Sequence, residues 1–103
     1  MATKEIMLVC AAGMSTSLMV TRMQKAAEEK GLLANIFAVP VPEAEIYLAE
    51  HQVDVILLGP QVRYLLDSFR EKSAATPVDV IPMTDYGMMK GDKVLELAES
   101  LMQ

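Results

Sequence analysis

The chain has 103 residues, enough for one domain with one modest core but not for two. Hydrophobic residues make up 52% and charged residues 22%, which excludes a disordered chain and matches an ordinary globular domain. The formal net charge is −5 and the Lys and Arg residues are scattered, which argues against nucleic acid as a partner, because that binding needs clustered cations to neutralise phosphates.

The N-terminal stretch MATKEIMLVCAAG opens on a mixed charge pair, and its apolar run is short. It reads as a first strand over residues 5–10, not as a signal peptide. No apolar run anywhere approaches the roughly 20 residues that span a bilayer, so no membrane insertion is expected. Cys10 ends this strand and is the only cysteine. A single cysteine cannot form an internal disulfide, which suits a reducing cytoplasm.

Small residues follow Cys10, and then a helical pattern begins: Met19, Met23, Ala26 and Ala27 keep an i, i+4, i+7, i+8 spacing. Met19 and Met23 are therefore expected in the core. Ser15, Thr16 and Ser17 offer N-caps, and Gly31 offers a stop. A second strand covers residues 34–39 and is closed by Pro40. Pro42 opens the second helix at its first position, with Glu43 and Glu45 near its positive end and Ala44, Tyr47 and Leu48 as an apolar stripe. The only histidine, His51, ends this helix just before the third strand. That is the far end of the sheet from Cys10, so His51 is read as an exposed helix end. One Cys and one His, with no CxxC or HxxxH spacing, leave too few ligands for a zinc site, and no metal is expected.

The third strand covers residues 53–58 and is closed by Gly59-Pro60. Val62, Leu65, Leu66 and Phe69 then mark a third helix at i, i+3, i+4, i+7. The fourth strand covers residues 78–83, with Pro82 limiting its length. Residues 84–91, TDYGMMKG, fit either a loop or a short irregular turn of helix, and Met88 and Met89 within them fit either core or surface. The last helix carries Val94, Leu97, Ala98 and Leu101, with Asp92 as a cap.

This β-α-β-α-β-α-β-α order with short links implies an α/β fold: an open four-stranded parallel sheet in the order 2-1-3-4, with helices on both faces and right-handed crossovers. Ligands of such sheets bind beyond the carboxyl ends of the strands, where strand order reverses. Here that point lies between the first and third strands, where CAAGMSTS and GPQVRY meet.

A glycine-containing loop of small residues between a strand and a helix can aim several backbone N–H groups at one point. That makes an anion nest, reinforced by the helix N-terminus. The same positive field favours the thiolate of Cys10, the nucleophilic form of the sulfur. One loop can thus activate Cys10 before attack and hold a phosphoryl group on it afterwards. The alternative is that Cys10 is a small core residue, as free cysteines often are. Position at a strand end, followed by Gly13 and a Ser-Thr-Ser run, favours chemistry. Met14, in mid-loop, either folds back onto the core or offers an adaptable contact to a protein partner.

Cysteine-dependent tyrosine phosphatases carry a Cys-x5-Arg loop whose Arg clamps the phosphate and stabilises the transition state. Counting from Cys10 places Thr16 at the Arg position, followed by Ser17. Arg22 lies a turn or more along the helix, out of reach of the anion, and Asp85 is a weak candidate for protonating a leaving group. Such a loop should bind a phosphoryl group and hydrolyse it poorly, which suits a carrier.

Three further residues stand beside the loop. Gln61 either lines the site or caps the third helix. Tyr64 either faces a partner or packs half-buried with its hydroxyl in water. Tyr86 follows the fourth strand and lies over the same face or is packing. Arg63 lies at the rim.

LVCAAGMSTSLMV, VILLGPQVRYLL and DYGMMKG together resemble the enzyme IIB component of the bacterial phosphoenolpyruvate-dependent sugar phosphotransferase system, in its lactose/cellobiose (chitobiose) class. The resemblance covers essentially the whole chain, residues 1–103, as a single IIB-type phosphocarrier domain. It implies a flavodoxin-like or Rossmann-like three-layer sandwich, similar to low-molecular-weight tyrosine phosphatase. It implies a cytoplasmic relay without a cofactor: Cys10 takes a phosphoryl group from a histidine of enzyme IIA and passes it to a sugar bound by the membrane enzyme IIC. The sugar so implied is a β-linked disaccharide such as cellobiose or diacetylchitobiose. By motif match Cys10 is the phosphocysteine, and Ala11, Ala12, Gly13, Met14, Ser15, Thr16 and Ser17 form the phosphoryl-binding loop. Gln61, Tyr64 and Tyr86 form its rim or the partner surface. Two other readings stay in view: a phosphatase or arsenate reductase on a similar fold, and a binding module with an inert Cys10.

Overall fold

The computed structural model describes residues 3–11 and 14–103, and the side chains of residues 14–16 are outside what it describes. Four parallel strands form one sheet in the order β2-β1-β3-β4, as expected from the alternation. They are β1 (Lys4–Cys10), β2 (Ala34–Pro40), β3 (Val55–Leu58) and β4 (Val78–Val80). The register runs Cys10 beside Pro40 on one side and Val9 beside Leu58 on the other. Ile6 to Cys10 and Val55 to Leu58 are all buried. Unbroken apolar strands of this kind are what a sheet covered on both faces requires.

The two faces divide cleanly by strand alternation. Ile6, Leu8, Val55 and Leu57 pack with Met19, Met23, Val94, Leu95 and Ala98 of α1 (Met14–Lys30) and α5 (Gly91–Met102). Met7, Val9, Ile56 and Leu58 pack with Ala44 of α2 (Val41–Glu50) and Phe69 of α3 (Leu66–Lys72). Met19 and Met23 are thus core residues, fully buried.

Several boundaries differ from the expected ones. α1 begins at Met14, so Ser15, Thr16 and Ser17 lie inside its first turn and do not precede it. Ser and Thr are tolerated there because their hydroxyls can bond backbone carbonyls; Thr21 Oγ1 donates to the Ser17 carbonyl at 3.1 Å. Gly31 ends the helix as expected, with φ 72° and with Leu32 N–H donating to Ala27 O at 2.9 Å and Gly31 N–H to Glu28 O at 3.1 Å. That is the Schellman pattern, which needs a left-handed residue at this point. Pro42 sits second in α2 behind Val41; either place suits a residue without N–H, because both positions lack an intrahelical acceptor.

Val53 lies outside β3, which starts only after Asp54. The Asp54 carboxylate accepts the Glu5 N–H at 2.7 Å, and its own N–H donates to Glu5 O at 2.9 Å. The expected third helix is two pieces: a 3-10 turn over Pro60–Leu65, kinked at Val62, and then α3. An i, i+3 stripe fits both helix types, so Val62 and Leu65 could not tell them apart. β4 stops at Val80, short of the expected residue 83, because Pro82 has no N–H for the ladder. The chain turns instead into α4 (Met83–Gly87), which resolves the open segment as a helical turn. Asp92 lies in the first turn of α5 and is not its cap, which is Lys90. Its charge there complements the positive end of the helix.

Candidate functional site

Cys10 occupies the carboxyl end of the central strand β1, and α1 starts at Met14. The helix therefore follows sooner than expected. Within the expected phosphoryl-binding loop, Ala11 is exposed, Ala12 and Gly13 lie outside the described residues, and Met14, Ser15, Thr16 and Ser17 belong to the first turn of α1. Four of the seven residues expected in the loop are therefore helical. The first N–H groups of a helix have no intrahelical acceptor, and α1 carries no acidic residue in its first turn to neutralise its positive pole.

The Cys10 side chain is 1% exposed, and its Sγ donates to the Val39 carbonyl at 3.7 Å. Burial alone is common to a core cysteine and to a nucleophile kept from water. Cys10 is the last residue of its strand, beside the point where strand order reverses.

The neighbours divide. Gln61 is exposed in the 3-10 turn after β3 and caps nothing; the capping position is Gly59, without a side-chain bond. Tyr64 is 76% exposed, which corrects the half-buried alternative. Tyr86 is buried and belongs to the core face shared by α1 and α5, yet its ring stands at the end of β3: Tyr86 Cε1 lies 4.0 Å from where a Gly59 side chain would begin. Arg63 folds onto its own turn, with Nη1 donating to Pro60 O at 3.1 Å. Arg22 reaches Met89 O at 3.4 Å, away from the strand ends. His51 closes α2 at the opposite edge of the sheet, exposed and stacked on Tyr47 with ring centroids 4.4 Å apart. Asp85, in α4, spends its backbone carbonyl on the Lys90 N–H.

Sequence reasoning offered Tyr64 as partner surface and left Met88 open, but did not pick out Leu18 or Met83 as exposed. Leu18, Tyr64, Met83 and Met88 are large apolar side chains left exposed, on α1, on the 3-10 turn, on α4 and just after it. Each of these elements begins beyond the carboxyl end of a strand. The signal was weak in the sequence, because an exposed methionine and a core methionine look alike until the helix boundaries are known. A cleft of about 390 Å³ lined by Leu48, Val53, Phe69 and Thr76 lies at the other edge, with His51.

A sequence model of the lactose/cellobiose-specific IIB subunit of the phosphotransferase system matches residues 5–97. The galactose-specific EIIB component of Lactococcus lactis subsp. cremoris (strain MG1363) is 52% identical, covering 99% of both chains. The cellobiose-specific EIIB component of Lactococcus lactis subsp. lactis (strain IL1403) is 51% identical over the same share. The oligo-beta-mannoside-specific EIIB component of Bacillus subtilis (strain 168) is 40% identical over 96% of each. Among solved structures, the cellobiose-specific phosphotransferase IIB component from Borrelia burgdorferi superimposes with a TM-score of 0.78 at 37% identity, covering 98% of this chain and 93% of that one. The lactose-specific IIB domain from Streptococcus pneumoniae superimposes with a TM-score of 0.84 at 14% identity, covering 99% and 100%, and so shares the fold. The chain belongs to the lactose/cellobiose-specific IIB family of the sugar phosphotransferase system, a phosphotransferase component of sugar uptake. Among the described residues no helix is long and apolar enough to cross a membrane.

Proposed function

We propose that residues 1–103 act as one phosphocarrier domain in which Cys10 is the phosphorylated residue. The observation that carries this reading is the join of β1 to α1: a lone cysteine ends the central strand, and a helix with an acid-free first turn starts at Met14. In the first step the Cys10 sulfur, having lost its proton, attacks the phosphorus of a phosphohistidine on enzyme IIA. An S–P bond forms, the N–P bond breaks, and the imidazole leaves with the nitrogen electron pair and takes up a proton. In the second step a sugar hydroxyl held by enzyme IIC attacks the same phosphorus. An O–P bond forms, the S–P bond breaks, and the hydroxyl proton is released as the thiolate returns.

The segment from Ala11 to Ser17 supplies the N–H donors for the phosphoryl oxygens in both steps, the positive end of α1 stabilising their charge. Thr16 stands where a phosphatase loop has Arg, so the phosphocysteine is held without the clamp that speeds attack by water. The exposed apolar side chains of Tyr64, Met83, Met88 and Leu18 suit the docking of protein partners at this edge. The domain works in the cytoplasm, where both partners present their phosphoryl sites. The sugar is a β-linked disaccharide; two of the relatives above carry cellobiose and oligo-beta-mannoside in their names, and the third carries galactose.

Incubation with phosphoenolpyruvate, the general transfer proteins and a IIA partner should raise the intact mass by one phosphoryl group. Cys10→Ser should abolish sugar phosphorylation through the relay. Steady release of phosphate from an aryl phosphate, dependent on Cys10, would instead favour the phosphatase reading.

A further inference from the structure

The position beside Cys10, just past the end of β3, is Gly59, and glycine is there for space. Its backbone angles, φ −62° and ψ 152°, suit any residue. The parallel register pairs Val9 with Leu58 and is carried one step further by the Gly59 N–H, which donates to Val9 O at 2.8 Å. Gly59 is thus the neighbour of Cys10, about 4.8 Å away across the ladder, and paired residues of a parallel sheet point to the same face. Val9 and Leu58 both face α2 and α3, so alternation turns Cys10 and the side-chain direction of Gly59 together toward the α1 face.

The space a Gly59 side chain would fill holds an amide. Gln61 Oε1 lies 3.1 Å from that Cβ position, Val9 O 3.5 Å, and Tyr86 Cε1 4.0 Å. Gln61 is an exposed residue whose side-chain oxygen nonetheless turns back over Gly59 at the strand end. Beside Cys10, then, the space over Gly59 holds the Gln61 carboxamide, and the Tyr86 ring borders that space.

We propose that the Gln61 carboxamide is a side-chain ligand of the phosphoryl group on Cys10, and that Gly59 is glycine in order to admit it. This rests on the phosphocysteine reading above. A carboxamide can donate N–H bonds to phosphoryl oxygens. Being neutral, it holds the group without drawing electron density from phosphorus as a guanidinium does. That fits a site that must keep its cargo from water. The Val9 carbonyl oxygen and the Tyr86 ring border the same space above Gly59, 3.5 and 4.0 Å from that Cβ position.

The test uses the full chain, loaded from phosphoenolpyruvate through a IIA partner, and reads the extent of phosphorylation by intact mass and the phosphocysteine resonance by phosphorus NMR. Gln61→Ala should lower the equilibrium extent of loading about tenfold, the worth of one hydrogen bond to a charged group, and move the phosphorus signal. Gln61→Glu should lower it further, because a carboxylate meets the phosphoryl charge. Gly59→Ala, which keeps every functional group but intrudes on the amide, should move the signal in the same direction as Gln61→Ala. In the 15N-labelled wild-type chain the Gln61 side-chain NH2 signal should shift on loading, a change that a merely structural role would not produce. Equal loading and an unmoved phosphorus signal in Gln61→Ala and Gln61→Glu overturn the assignment while the carrier reading stands. A wild-type chain that takes no phosphoryl group from a competent donor overturns the carrier reading and this assignment with it.

Discussion

Thr16 decides what kind of site a reactive cysteine makes here. It sits six residues after Cys10, where a phosphatase loop carries the guanidinium that lowers the barrier to hydrolysis. Restoring a cation at that position should turn a holder into a leaky one. Thr16→Arg is expected to shorten the lifetime of the phosphocysteine by about tenfold or more, measured as decay of the phosphorylated mass after the donor is removed. An unchanged lifetime would show that the missing cation is not what protects the cargo. That Cys10 ends the first strand was legible from residue types alone, because an apolar run closing on small residues is a local signal. Tyr64 and Tyr86 were not, since a tyrosine commonly buries its ring either way; one is 76% exposed and the other 7%. Gln61 over Gly59 was hidden for another reason: it depends on which neighbour the β1–β3 register brings beside Cys10.

Helix α1 is the element on which the proposed site depends, because in that proposal its first turn supplies N–H donors and its packing sets their position. A side chain at Gly91 would start 2.6 Å from the backbone carbon of Arg22 and 2.7 Å from the Met23 nitrogen. The start of α5 therefore rests directly on the backbone of α1. Gly91→Ala should cost about 1–3 kcal/mol through this forced displacement, read as a fall in Tm of several degrees by thermal unfolding. The strands were read correctly because β1 and β3 are continuously apolar, a signal independent of boundaries. Helix starts were read less well. Ser and Thr favour both cap and first turn, which set the start of α1 too late. The turn between α4 and α5 places Met89 at φ 53°, although Gly87 and Gly91 flank it. Glycine content pointed to a turn there but not to the residue that takes the left-handed angle.

Across the whole molecule stability comes from two apolar layers pressed on one sheet, not from surface charge. Leu57 is fully buried at the centre of the α1–α5 face. Leu57→Ala should cost about 2–5 kcal/mol in denaturant unfolding. Lys72 and Glu45 pair on the surface with roughly half of each side chain exposed, and Lys72→Ala should cost no more than about 1 kcal/mol in the same experiment. A reversed ranking would mean that the helices are held by charge. Cys10 stands at the carboxyl end of a central strand, the end from which α1, the 3-10 turn and α4 begin. The most direct test of the account is a loading and chase. The chain is phosphorylated by a IIA partner, freed of donor, and its intact mass followed in buffer and after addition of vesicles containing a IIC transporter with its sugar. The account predicts one phosphoryl group on Cys10 that persists in buffer and is lost when transporter and sugar are supplied. A mass that never rises, or a phosphoryl group released to water as fast in buffer alone, would contradict it.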